Sequence, residues 1–148
     1  MTIESFWQQF LEQTGRDAQT KYLECFHFDL NERSANELLA LVLSGKKRAT
    51  ASSLYAFPPG ETPKPGDLSI VTDWDGNPRC VIETKTVQVI PFCAMTYEIC
   101  SREGEDECLE TWQAGHRRFF TEDGLEMGYV FTEDMPVIFE DFEVVYRV

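Results

Sequence analysis

Ser44-Gly45-Lys46-Lys47-Arg48-Ala49-Thr50-Ala51-Ser52 sets three consecutive cations between a glycine and a run of small, hydroxyl-bearing residues, in a chain of formal net charge −13. Upstream, Ser34-Ala35-Asn36-Glu37 has the spacing of a capping box, with Ser34 as the cap and Glu37 reaching back. Ala35, Leu38, Leu39 and Val42 then recur at helical spacing and predict one apolar stripe. Gly45 falls where a residue of positive φ ends such a helix. From Arg48 to Tyr55 the chain is expected to be extended. The cations therefore sit at a helix-to-strand corner, where Lys47 can turn back over Thr50. That corner is the candidate site.

Working outward, 148 residues fit one domain, residues 1–148, able to remove roughly 68–70% of its unfolded surface from water. Eleven Phe and three Trp supply much of the expected core. Met1-Thr2-Ile3-Glu4-Ser5 lacks a basic flank followed by an apolar run, so no signal peptide is expected. The longest aliphatic run, Leu38 to Leu43, falls well short of the roughly 20 residues that span a bilayer. Five Cys, an odd count without CxxC spacing, suit a reducing cytoplasm better than a disulfide framework. Two His argue against a Cys/His zinc cluster, and no metal or cofactor is called for.

The charge is uneven. Residues 96–148 carry fourteen acids against four bases, whereas residues 1–95 carry twelve against nine. Binding of long nucleic acid rests on phosphate neutralisation by basic surface. One small basic island in a negative field favours a small nucleoside or nucleotide ligand, with RNA held weakly if at all.

Ile3, Phe6, Trp7, Phe10 and Leu11 predict a helix capped by Thr2 and ended near Gly15, with Trp7 and Phe10 as packing residues. Tyr22 to Phe28 reads as an extended segment, and Asp67 to Trp74 as a strand. Asp75-Gly76-Asn77 is a tight turn, and Arg79 to Ile90 returns as a long strand. On it, Cys80, Ile82, Thr84, Thr86 and Gln88 are expected on one face, and Val81, Glu83, Lys85, Val87 and Val89 on the other. Glu83 with Lys85 is either a polar spot lining a cavity or a cross-strand ion pair. A short helix over Met95–Cys100 and a longer one over Glu107–Phe120 follow. The second has Leu109, Trp112, His116, Phe119 and Phe120 on its inner face. His116 there is either a satisfied core histidine or a ligand contact. Gly124 to Gly128 reads as a turn, and Met135 to Val148 closes the chain as a strand. The fold class is α+β, with a small barrel-like sheet of mainly antiparallel strands.

Gly45-Lys46-Lys47-Arg48-Ala49-Thr50 resembles the G-x-K-x-x-T/E signature of ASCH domains, whose fold is a PUA-like β-barrel with flanking helices. The similarity extends through Pro65-Gly66-Asp67, Cys80-Val81-Ile82-Glu83, Glu103-Gly104-Glu105 and the closing Phe142–Tyr146 segment. The Phe6-Trp7 helix and the Trp112…His116…Phe119-Phe120 segment resemble the longer bacterial members in particular. The resemblance implies RNA binding, ribonuclease activity in some members, and hydrolysis of N4-acylated cytidines in small bacterial ones. In the last group the motif Lys and Thr act with a Glu twenty residues beyond the Cys-x-Ile-Glu strand. Carried over, these are Lys47, Thr50 and, counting from Glu83, Glu103. Lys46, Arg48, Ser52, Glu83 and His116 complete the site as ligand contacts. Ser52 stands where the small enzymes carry an Arg.

Cleaving an amide to an exocyclic amine needs a nucleophile, a base and a proton donor for the departing nitrogen. Thr50 offers the hydroxyl, and a neutral Lys47 can take its proton, as Ser–Lys pairs do. Lys46 and Arg48 beside it would help Lys47 lose its charge; a close carboxylate would oppose that. Glu103 is therefore expected nearer the leaving amine. If it pairs with Lys47 instead, Lys47 remains cationic and becomes an oxyanion stabiliser or phosphate ligand. Three functions stay open: an amidohydrolase, a non-catalytic binder of RNA or a modified nucleotide, and a metal-independent ribonuclease.

Overall fold

Thr2 begins the chain's first helix by accepting a hydrogen bond from the Ser5 amide, and Gly15, at φ 68°, ends it. The computed structural model describes residues 1–148. This helix, α1 (Ile3–Thr14), lays Phe6, Trp7, Phe10 and Leu11 on Leu68, Ile70 and Val81, as its apolar stripe predicts. A short strand β1 (Glu24–Phe26) follows. Helix α2 (Glu32–Leu43) starts earlier than the capping-box spacing suggested. Asn31 is the cap, its side chain accepting from the Ser34 amide at 2.9 Å, and Glu37 pairs with Arg33 instead of reaching back. Gly45, at φ 83°, ends this helix as expected.

Strand β2 (Ala49–Ser53) leaves the corner. Strand β3 (Leu68–Thr72) and the long β4 (Pro78–Pro91) form a hairpin, a short helix α3 (Tyr97–Cys100) precedes α4 (Leu109–Met127), and β5 (Pro136–Arg147) closes the sheet. The strand order is β1-β3-β4-β5-β2, antiparallel except for the β1–β3 pair. The result is the expected α+β architecture, a curled half-barrel carrying helices.

Two register shifts in the β4–β5 ladder bend the sheet, one between Val81 and Ile82 and one between Thr84 and Thr86. The second corrects the expected faces of β4. An extra residue at Lys85 resets the alternation, so Val87 lies opposite Glu140 and Val89 opposite Ile138, on the side that Thr84 occupies before the shift. Helix α4 also departs from expectation by running on to Met127. Gly124 is no turn residue: a Cβ there would overlap the Tyr129 carbonyl, so glycine permits close packing, and Gly128 at φ 85° ends the helix. Trp112 and Phe120 pack with Phe92, Met135, Val137 and Phe139 into the largest apolar cluster, which fixes α4 beside the β2 corner. No helix is long and apolar enough to cross a membrane, and all five cysteines are free.

Candidate functional site

Between the end of α2 and the start of β2, alternation turns Lys47 inward and leaves Lys46 and Arg48 exposed. Lys47 is only 2% exposed, so its ammonium must find partners within the protein. It donates to the Ala49 carbonyl at 2.8 Å, to Glu103 Oε1 at 3.3 Å and to Glu105 Oε2 at 2.5 Å, and lies 5.2 Å from the centre of the Phe28 ring. The carboxylates reach it because the Ser101–Glu103 turn docks main chain to main chain on the corner. The Arg48 amide donates to the Arg102 carbonyl at 3.0 Å, and Gly104, at φ 71°, abuts Lys46.

Glu103 is 2% exposed and has both oxygens engaged. Oε1 meets Lys47, while Oε2 accepts from Trp112 Nε1 and faces His116 Nε2 at 3.3 Å. The other ring nitrogen of His116, Nδ1, lies 2.9 Å from the Trp112 carbonyl. Both nitrogens face acceptors, an arrangement that only the doubly protonated ring satisfies. The ring stacks on Trp112, with centroids 4.1 Å apart.

Burial alone would push Glu103 up, but Lys47, His116 and Trp112 outweigh it and hold the carboxyl at about 2. Glu105 moves the other way: burial and the neighbouring Glu103 charge raise it in spite of Lys47. Lys47 and His116 are pulled down by burial and more than restored by the carboxylates, so both end above their ordinary values. The cluster thus holds a fixed carboxylate, two cations, and one carboxyl whose proton is closer to neutral pH.

These groups line a cavity of about 340 Å³ that also contains Thr50, Phe28, Asp29, Asp106, Arg118 and Phe119. Lys47, Thr50, Glu103 and His116, all singled out from the sequence, meet here. The Thr50 hydroxyl makes no hydrogen bond to the other three. The ASCH domain family model matches residues 24–146, a span that includes the whole corner and its partners.

The chain belongs to the ASCH domain family.

A protein from Enterococcus faecalis, 31% identical, superposes with a TM-score of 0.87 over 99% of this chain and 94% of that one. An ASCH domain from Lactobacillus crispatus, 36% identical, gives 0.83 over 97% and 94%. Among curated proteins none matches. Family membership brings a nucleotide- and nucleic-acid-binding fold with it.

Other residues of the expected ASCH site lie elsewhere. Lys46 and Arg48 point to solvent outside the cavity, because a strand entry can turn only every second side chain inward. Glu83 is held by Lys85 at 3.0 Å and Arg16 at 3.7 Å, an ion pair and not a cavity contact; the Glu83–Lys85 pair runs along β4, and it is Glu143 on β5 that Lys85 reaches across the strands, at 3.5 Å. Ser52 lines a neighbouring cavity. The tight pairing of Lys47 also removes the condition under which it could act as a neutral base, and Glu103, saturated and strongly acidic, is unsuited to exchange protons. The sequence reading passed over Glu105, Asp106, Arg118 and Phe28. For Glu105 the signal was present in Glu103-Gly104-Glu105, where a left-handed glycine lets two carboxylates turn toward one partner.

Proposed function

We propose that this ASCH chain binds a small nucleoside-type ligand at the Lys47 cavity and hydrolyses an amide on it, as in an N4-acylcytidine. The observation that carries the reading is one cavity holding a hydroxyl, a buried ammonium and two carboxyls of divergent acidity. Thr50 is the nucleophile. Lys47, kept charged, stabilises the oxyanion that forms on the acyl carbonyl. Glu103 fixes Lys47, Trp112 and His116 in place, and the base role moves to Glu105, whose raised pKa suits proton exchange. Arg118 adds an exposed positive charge to the cavity lining.

The test is turnover of a panel of N4-acylcytidines, beside short RNAs, by wild type, Thr50→Ala and Thr50→Ser. Loss of turnover in Thr50→Ala, partial activity in Thr50→Ser, and nearly unchanged Kd and Tm in both support the nucleophile. Undiminished hydrolysis by folded Thr50→Ala removes Thr50 from the chemistry. RNA cleavage without amide hydrolysis favours the ribonuclease; tight RNA binding without turnover favours a binding module.

A further inference from the structure

A second cavity, of about 280 Å³, adjoins the first and shares Thr50 and Phe119 with it. Its wall is a polar patch of the sheet: Glu24 from β1, Thr50 and Ser52 from β2, Ser69 from β3 and Glu140 from β5. Thr50 and Glu140 are direct cross-strand partners, so their side chains leave the sheet on the same face. Glu140 is 7% exposed; its Oε1 accepts from the Thr84 hydroxyl at 3.0 Å, and its Oε2 has no protein partner. The Ser69 hydroxyl, on a residue 6% exposed, has none either, nor do the side chains of Ser52, Thr50 and Glu24. No side-chain oxygen here is both sealed from solvent and unpaired, so these oxygens open onto the cavity, free to meet a ligand. They make a surface suited to a polar ligand, and Phe26, Phe57 and Ile82 add apolar walls for a flat ring.

The charge around this cavity narrows the ligand. Glu24, Glu140 and Asp123 line it, and Asp67 also acts on Glu140. Anionic groups such as phosphate are repelled, and amine donors are welcome. Burial, with Glu24 and Asp67 adding to it and Thr84 opposing, pushes Glu140 up to about 7. Near neutral pH this carboxyl can donate from one oxygen and accept on the other. That pattern complements an edge carrying a ring nitrogen beside an N–H, and a carboxyl accepting from the cytosine amine is an established pairing.

We propose that this second cavity is the subsite for an aminopyrimidine ring, and that Glu140 hydrogen-bonds its amine edge and protonates the amine nitrogen as the amide at Thr50 is cleaved. The catalytic half rests on the hydrolysis reading above; the binding half does not. The proton balance closes. Thr50 Oγ1 bonds to the acyl carbon while its proton passes to Glu105. The C–N bond then breaks, its electron pair stays on nitrogen, and that nitrogen takes the Glu140 proton. Water attacks the Thr50 ester and returns a proton to Glu140, and the departing Thr50 oxygen recovers its proton from Glu105. An amide and a water have become an amine and an acid.

Cytidine, the free amine, is the probe, with uridine as control, titrated calorimetrically into the full chain. Wild type should bind cytidine more tightly than uridine. Glu140→Gln should weaken cytidine by about 5- to 150-fold and lower turnover of N4-acetylcytidine by about a hundredfold or more. Thr50→Ala should lose turnover. Ser69→Ala, a milder change in the same wall, should also weaken cytidine and serves if Glu140→Gln fails to fold. Equal cytidine affinity in wild type and both wall variants overturns the subsite even if hydrolysis is observed, as does no cytidine binding at all. Cytidine binding that depends on Glu140, without hydrolysis of any acylcytidine, keeps the subsite and sinks the amidohydrolase.

Discussion

Gly104 rests against the main-chain carbonyl of Lys46, leaving no room for a side chain on residue 104. Its φ of 71° is also one that L side chains rarely adopt. Gly104→Ala should therefore cost about 2–4 kcal/mol, combining the left-handed penalty with the displaced contact. Because the same contact brings Glu103 and Glu105 to Lys47, ligand binding should fall with it. Urea denaturation checks the first point; a variant as stable as wild type would show that the two loops are not wedged together.

Lys47→Met should be among the most damaging single changes, at about 3–5 kcal/mol, because it takes the ammonium from two buried carboxyls and leaves Glu103 with His116 as its remaining counter-charge. Adding Glu103→Gln should restore part of that loss. A double-mutant cycle from chemical denaturation measures the coupling. Simple additivity of the two changes would mean that the ion pair contributes nothing beyond its separate members.

Stability should respond to pH in two opposed windows. Glu103 is lowered from 4.5 to about 2, so its contribution is complete above 4.5 and disappears as pH falls through 2. Glu140 is raised from 4.5 to about 7, so its burial favours the folded state in acid, and that advantage declines as pH rises from 4.5 through 7. Each amounts to at most about 3 kcal/mol. Denaturation midpoints between pH 3 and 8 should show the decline, and Glu140→Gln should flatten it in part, the remainder coming from Glu24, Glu105 and, above its ordinary value, His116, which all shift the same way. An unaltered profile in Glu140→Gln would remove Glu140 as the source.

Binding to single-stranded RNA should be weak and only modestly salt-dependent. Of the cations at or beside the site, Lys46, Arg48 and Arg118 are exposed and make no ion pair, whereas Lys47 is already committed to carboxylates. At roughly −0.7 per phosphate contact, three cations give a log–log slope of about −2. Fluorescence titrations across a salt series measure it, and a slope steeper than about −4 would call for a basic surface elsewhere.

Local signals carried much of this architecture. The Thr2 cap, the Phe6–Trp7–Phe10–Leu11 stripe and Gly15 define α1 within a few residues, and Gly45 with Lys47 and Thr50 placed the corner. What stayed hidden depends on partners distant in the chain. The charge state of Lys47 is set by residues 56 and 58 positions away. The reset of β4 at Lys85 follows from its register against β5, which no alternation pattern along β4 alone encodes. Gly124 looked like a turn because glycine's small size and its conformational freedom read alike in sequence; only the Tyr129 carbonyl beside it tells which was needed. Lys46 and Arg48 were drawn into the site by adjacency to Lys47, although neighbours in extended chain face opposite ways.

Strand β2, which carries Thr50, has β5 as its sole strand neighbour, and most of the chain lies between them. During synthesis the corner must wait on the ribosome, with its edge groups unpaired, until the closing strand emerges. Contacts of such long sequence separation form late and slowly. The wait is tolerable because Ala49-Thr50-Ala51-Ser52-Ser53 is short and poor in large apolar side chains, and so offers little for a stray strand to hold. A nascent chain therefore carries no half-built pocket: the cavity at Thr50 would be completed in one event, with the pairing of β5.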